Sequence, residues 1–193
     1  MSAALKEFAA RGFAGARVDA IARRAAINKR MLYHYFGDKE GLFRAVLQNK
    51  IAERQAGTEG LSGDPAESLP FWFEFSCRDR DWVRLLEWEA LQDTDKQVID
   101  ETRRRALAGQ ALDRVRRQQA LGYLSGRFAP DHLLLAMRSL TLFPLAFPQL
   151  TRLFTGRSVS DPRFQKKHAE FLRQFAAAFR PAAPRRVPTG SPQ

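Results

Sequence analysis

Residues 12–47, GFAGARVDAIARRAAINKRMLYHYFGDKEGLFRAVL, decide the fold. Val18, Ile21, Ala22 and Ala25 recur at helical spacing and mark a short helix. A tight turn follows near Ala25-Ala26-Ile27, and Asn28 is placed to cap a second short helix running to about Phe36. Gly37-Asp38 breaks that helix. Asp38 can then cap a longer one carrying Leu42, Phe43, Val46, Leu47 and Ile51. Two short helices joined so tightly have helix-turn-helix proportions. On the second, Leu32 and Phe36 point to the core and leave Asn28, Lys29, Arg30, Tyr33 and His34 to a partner. A helix of this diameter fits the DNA major groove, with residues near its N-terminus reaching base edges. Tyrosine hydroxyls and the helix N-terminus suit phosphate, and Lys39 adds a further neutralising charge.

Upstream, Leu5, Phe8 and Ala9 share a face, and Gly12 closes their helix. Downstream, GTEGLSGDPAESLP (57–70) reads as a linker rich in Gly, Ser, Pro and Asp. Helical periodicity resumes at about 66–78, 81–93, 95–123, 130–147 and 162–180. Asp161-Pro162 starts the last segment, and Pro144 and Pro148 kink or end the one before it. Residues 181–193, PAAPRRVPTGSPQ, have almost nothing to bury and are expected to be disordered. Strand alternation and hairpin turns are absent, so the expectation is an all-α protein.

Charge points to a polyanion. The chain of 193 residues carries 32 Lys and Arg against 21 Asp and Glu, a net +11. Residues 1–56 hold eleven basic against five acidic residues, and 129–193 hold ten against three, around a near-neutral middle. A basic N-terminal third fits nucleic acid or anionic lipid.

Other classes recede. One cysteine, Cys77, allows no internal disulfide or cysteine-cluster metal site and fits a reducing compartment. His34 has no His, Cys or carboxylate at ligand spacing, so no metal and no cofactor are expected. Glycine-rich phosphate loop, H-E-x-x-H and nucleophile elbow are all missing, and an enzyme is not expected. The chain opens without a charged-then-apolar leader, and its most apolar stretch, Leu133 to Leu145, is interrupted by Arg138 and Pro144. A cytoplasmic protein without membrane spans is the expectation.

The N-terminal stretch resembles the DNA-binding domain of the TetR family of bacterial transcriptional regulators. LKEFAARGF looks like the end of that family's first helix, and VDAIARRAAIN like its second helix and turn. MLYHYFGDKEGLFRAVL looks like the recognition helix, the aromatic-Phe-x-x-Lys-Glu signature and the fourth helix. The resemblance implies that Tyr33, Tyr35 and Lys39 contact phosphates, and that Lys29, Arg30, Met31 and His34 face the bases with Asn28 beside them. It also implies a helix-turn-helix domain over 1–56, a helical ligand-binding and dimerisation domain over 57–180, and a tail over 181–193. Three positions depart from the family. Ala26 replaces the usual turn glycine, which costs about 1 kcal/mol if the position needs a positive φ. Arg17 replaces the usual Ser or Thr cap, leaving only a longer-range phosphate contact. Glu7 stands where an apolar residue is typical.

In the helical domain, Phe71, Trp72, Phe73, Phe75, Trp82 and Trp88 are dense for two helices. They read as core or as the wall of a ligand cavity. Phe71, Trp72, Phe75, Trp82 and Trp88, with Met137 and Phe143, are the candidates for the cavity. Glu87 and Glu89 are open to a cationic ligand or to solvent. The basic runs 103–105 and 114–117 read as a solvated helix face. Phe164, His168, Phe171, Leu172, Phe175 and Phe179 form a wide stripe on the last helix. With Leu134 they are the expected dimer interface, since the family pairs its last two helices across a two-fold axis.

The function implied is a ligand-responsive repressor that binds double-stranded DNA, a palindromic operator, as a homodimer and is released by a small-molecule effector. Two rivals stay open. One is a ligand-binding or interaction protein of the same fold without specific DNA recognition, favoured by Ala26, Arg17 and a short first helix. The other is a helical protein that docks its basic ends on anionic membranes.

Overall fold

In the computed structural model, residues 1–57, 61–91 and 98–181 are described, and among them the regular structure is helical without a strand. The first four helices are α1 (Ser2–Gly15), α2 (Val18–Ala25), α3 (Lys29–Phe36) and α4 (Lys39–Ala56). Two side chains set their starts. The Asn28 carboxamide oxygen accepts from the Arg30 amide at 2.8 Å, and an Asp38 carboxylate oxygen accepts from the Gly41 amide at 2.7 Å. Gly41 is fixed by proximity, because a β-carbon there would run into the Phe36 carbonyl oxygen.

The turn between α2 and α3 hangs on Ala26, whose φ of 53° and ψ of 40° are left-handed. The positive φ raised for this position from the sequence is therefore present, and the alanine carries its strain. Glu7 is 4% exposed despite its charge. One of its oxygens takes the Arg17 amide at 3.4 Å and the Arg11 guanidinium at 3.3 Å, and the other lies 3.8 Å from Arg24. Arg17 gives α2 no side-chain cap, so Glu7 reaches across from α1 to meet the orphan amide instead.

Phe8, Ile21, Leu32, Leu42, Val46 and Leu47 make the first core, with Phe8 edge-on to Phe43 at 4.8 Å. Fully burying side chains of this size contributes roughly 1.5–3 kcal/mol each. Leu85, from a later helix, is part of the same cluster.

The remaining helices are α5 (Pro65–Arg78), α6 (Arg80–Ala90), α7 (Glu101–Ala120), α8 (Pro130–Ala146), α9 (Pro148–Thr155) and α10 (Pro162–Ala178). Asp64-Pro65 and Asp161-Pro162 start α5 and α10 in the same way, each aspartate accepting the amide two residues on. Thus α5 begins inside the stretch read as linker, of which 58–60 lie outside the described residues. The segment expected at 95–123 is helical over 101–120, and 92–97 lie outside the described residues.

Periodicity missed α9. Pro144 stays inside α8, while Pro148 sits at the first position of a new helix and the chain turns through 91° between the two. The second core joins Leu69 and Phe73 of α5, Val83 of α6, Leu145 of α8, and Phe164, Leu172 and Ala176 of α10. No single helix among the described residues is long and apolar enough to cross a membrane. The tail expected at 181–193 lies outside the described residues from 182 onward.

Candidate functional site

α3 presents its candidate contacts outward. Asn28, Lys29, Arg30, Met31, Tyr33, His34 and Tyr35 are all exposed, as is Arg17 at the start of α2, while Leu32 is buried. Tyr35 is 69% exposed, so packing does not explain its size. Two basic residues are not free. Lys29 Nζ pairs with Asp19 at 2.8 Å and lies 5.7 Å from the Tyr33 ring centre. The hydrogen bond to Asp19 holds its amine above the ordinary lysine value. Lys39 is half-buried, donating to the Ala14 carbonyl at 3.0 Å and lying over the Phe13 ring at 5.1 Å. It ties α4 to the end of α1 through one of its three N–H bonds.

Trp88 packs against the N-terminal helices. Its indole Nε1 donates to the Ala9 carbonyl at 3.1 Å, and its ring lies under Gly12. Gly12 breaks α1 with φ 68° and ψ 177°. The pair forms the joint between the N-terminal helices and α6. Trp82 and Phe75 are diverted too. With Trp72 they surround the buried Arg54 of α4, their ring centres 5.0 to 5.4 Å from its guanidinium carbon.

Around Arg54 lies a second joint that periodicity did not mark. Its Nη2 donates to Ser76 Oγ at 3.2 Å, and its Nη1 lies 3.6 Å from Asp79. Asp79 also takes Lys50 at 3.0 Å, and Lys50 holds Glu53 at 2.7 Å. Burial pulls the Arg54 guanidinium down to about 10 against the favourable field of Asp79. Burial also opposes the charge on Lys50, but Glu53 and Asp79 together hold it above the ordinary lysine value.

A cavity of about 360 Å³ opens between α5, α7 and α8, with the 61–63 segment at one side. Of the residues expected to line it, Trp72 and Met137 do. Phe71 and Phe75 pack against Trp72 along α5, and Phe143 is exposed on the outer side of α8, against Phe147. Glu89 is held by Arg104 across two hydrogen bonds, so it already has a cationic partner and Arg104 is not simply solvated. Burial raises the Glu87 carboxyl against the pull of Arg80 and Arg84. Arg114 and Arg117, from the other basic run, line the cavity instead, with Arg138.

The stripe on α10 is mostly intramolecular. Leu172 and Phe164 are core, and His168 donates from Nε2 to the Leu140 carbonyl at 3.0 Å while packing on Phe73. Phe175 and Phe179 pack on each other, and Phe179 also meets Phe128. Leu134 lines the cavity. Only Phe171 of the seven is exposed, at 43%. Six large exposed apolar residues cluster on α8 and α9 and the link between them, Leu135, Phe143, Phe147, Leu150, Leu153 and Phe154, while others such as Leu91, Leu121 and Phe128 stand outside these helices.

Residues 1–46 match the family model described as bacterial regulatory proteins, tetR family. Residues 71–178 match the tetracyclin repressor-like C-terminal domain. The HTH-type transcriptional repressor NicS of Pseudomonas putida is 32% identical over 187 residues, covering 91% of this chain and 88% of that protein. The HTH-type transcriptional repressor SCO4008 of Streptomyces coelicolor is 28% identical over 154 residues, 80% of each. Among solved structures, SCO4942 of Streptomyces coelicolor, described as a transcriptional regulator, superposes with a TM-score of 0.76 at 25% identity. That superposition covers 93% of this chain and 95% of the other.

Proposed function

The chain belongs to the TetR family of bacterial regulatory proteins, and from that premise we propose that it is a repressor working as a homodimer on a palindromic operator and released by a small molecule. The outward face of α3 carries this reading. Arg30, Met31, Tyr33, His34 and Tyr35 stand exposed on a helix whose start is fixed by Asn28, with charged, aromatic and amide groups suited to phosphates and base edges. Both named relatives are described as transcriptional repressors.

Dimerisation gives the operator its symmetry, because two α3 helices on a two-fold axis read half-sites one helical turn or a multiple apart. The apolar residues exposed on α8 and α9 are the surface we assign to it, with Phe171 of α10. An effector in the 360 Å³ cavity acts only through different affinities for the DNA-competent and released forms. Its route to the reading head is short: Trp72, in the cavity wall, also lies 5.1 Å from Arg54 of α4.

The test is selection of bound duplexes from a randomised pool at near-physiological salt, followed by sequencing. An enriched inverted repeat is the expected outcome. Retention without enrichment leaves a phosphate-binding protein that reads no bases, and no retention leaves the helical domain as the functional part; either result overturns the proposal.

A further inference from the structure

The cavity between α5, α7 and α8 has an unbalanced charge. Its apolar wall comes from Leu69, Trp72, Val115, Leu121, Leu134 and Met137. Its charged groups are all basic: Arg138 from α8 within, and Arg114 and Arg117 of α7, exposed at the rim. Among the described residues, no acidic one lines it. Among the described residues, no carboxylate comes within ion-pair distance of Arg114 or Arg138, although most other arginines of α7 are paired. Two acids on neighbouring elements are engaged elsewhere, Asp113 with Arg116 and Asp64 with Arg180, while Glu67 of α5 is exposed and outside the lining. Arg138 has the Trp72 ring, 5.3 Å from its guanidinium carbon, as its neighbour. Burial and the like charge of Arg114 both pull its guanidinium below the ordinary arginine value. A half-buried cation that faces another cation is costly unless something anionic joins it, and the face of one indole offsets only part of that cost.

Resting on the reading of this domain as an effector domain, we infer that the cavity takes a small organic carboxylate, its head on Arg138 and its apolar body against Trp72, Leu134 and Met137. A planar guanidinium matches a carboxylate through two parallel hydrogen bonds, and a single interior arginine suits a monoanion. A cavity of about 360 Å³ is at the small end of the range for ligand sites, which limits the body to one or two rings or a medium acyl chain. Because Arg138 and Arg54 lie against the same indole, the carboxylate reaches the ring that also contacts α4.

The experiment uses the full chain without DNA. Benzoate, cinnamate, indole-3-acetate, hexanoate and octanoate are titrated beside their neutral primary amides, with thermal shift and isothermal calorimetry as readouts. At least one carboxylate is expected to bind ten-fold or more tightly than its amide. Arg138→Gln is expected to lose at least ten-fold of that affinity, with Arg138→Lys intermediate. Arg152→Gln, on α9 outside the cavity, leaves it unchanged. Far-UV circular dichroism and the ligand-free melting temperature check that the Arg138 variants fold. Amides binding as well as acids, an Arg138→Gln protein binding like wild type, or no response to any of the five acids at 5 mM would each overturn the inference. A protein that binds a carboxylate yet retains no duplex fails the repressor reading alone; one that selects an inverted repeat yet ignores every acid fails this inference alone.

Discussion

Gly12 and Trp88 are fitted to each other: a β-carbon on Gly12 would lie 2.9 Å from the indole, and Gly12 needs its positive φ of 68° as well. The same indole donates to the Ala9 carbonyl one turn earlier. Backbone break, close approach and hydrogen bond meet at one point, where the N-terminal helices dock on α6.

Gly12→Ala therefore meets two penalties, about 1 kcal/mol for the left-handed backbone and about 1–3 kcal/mol for the overlap. Chemical denaturation should show a loss of about 2–4 kcal/mol. Trp88→Phe, which keeps a ring but removes the donor, should cost less, with about 1 kcal/mol from the hydrogen bond. Equal stability of Gly12→Ala and wild type would mean that the two helices do not dock as described.

Ala26 supplies the opposite test. It holds φ 53° without being a glycine, so Ala26→Gly should stabilise the protein. The gain is about 0.5–1 kcal/mol, because relief of strain is offset partly by the extra freedom of glycine in the unfolded chain. A melting temperature that falls on this substitution would contradict the turn geometry.

On the reading helix, Tyr33→Ala should weaken all duplexes similarly, as loss of a phosphate contact does. Arg30→Ala should change which base is preferred at one position, at about 1–3 kcal/mol. Binding titrations on the selected operator and its single-base variants separate the two. A Tyr33→Ala protein with undiminished affinity removes that residue from the interface.

His168 makes stability depend on pH. Burial, opposed by the hydrogen bond to Leu140, holds its pKa below the ordinary 6.5, and Phe73 and Phe164 pack against the ring at 4.5 and 5.5 Å. Its folded pKa is depressed, so the unfolded chain binds the proton more readily. The stability contribution is full above about pH 6.5 and is lost as pH falls toward the folded pKa. Unfolding followed between pH 7.5 and 5 should show this decline, and His168→Gln should flatten it.

The helix missed from the sequence carries the association test. Leu153 and Phe154 are 74% and 76% exposed, so charge can be placed there without disturbing the core. Phe154→Glu should weaken a dimer by 2 kcal/mol or more, about thirty-fold, if it lies near the interface centre. Sedimentation velocity across a concentration series reads this directly. An unchanged dimer with both Leu153→Glu and Phe154→Glu moves the interface away from α9.

What could be read in advance divides along physical lines. Local rules found the caps at Asn28, Asp38 and Asp161, the break at Gly12 and the outward face of α3, because each depends on residues a few positions apart. The sequence suggests that Pro148 kinks or ends the preceding helix, yet proline at the first helical position starts one as readily. The stripe on α10 gave helical character but not the identity of its neighbour: Leu172 and Phe164 pack with Leu69 and Phe73 of α5. Long-range pairings were invisible altogether. Nothing local joins Arg54 to Asp79, Glu89 to Arg104, or Trp88 to Ala9. The cavity lost most of its expected aromatics and gained arginines for the same reason.

In the proposed repressor, the Trp72 ring, beside Arg54 of α4 and Arg138 of the cavity, would couple operator and effector in both directions. Linkage between two equilibria is symmetric: a compound that lowers the grip on an operator by some factor is itself held less firmly, by that factor, once the operator is bound. The DNA-bound protein is then a poorer sensor than the free one. The free pool, more than the bound one, sets the concentration at which the compound is first detected.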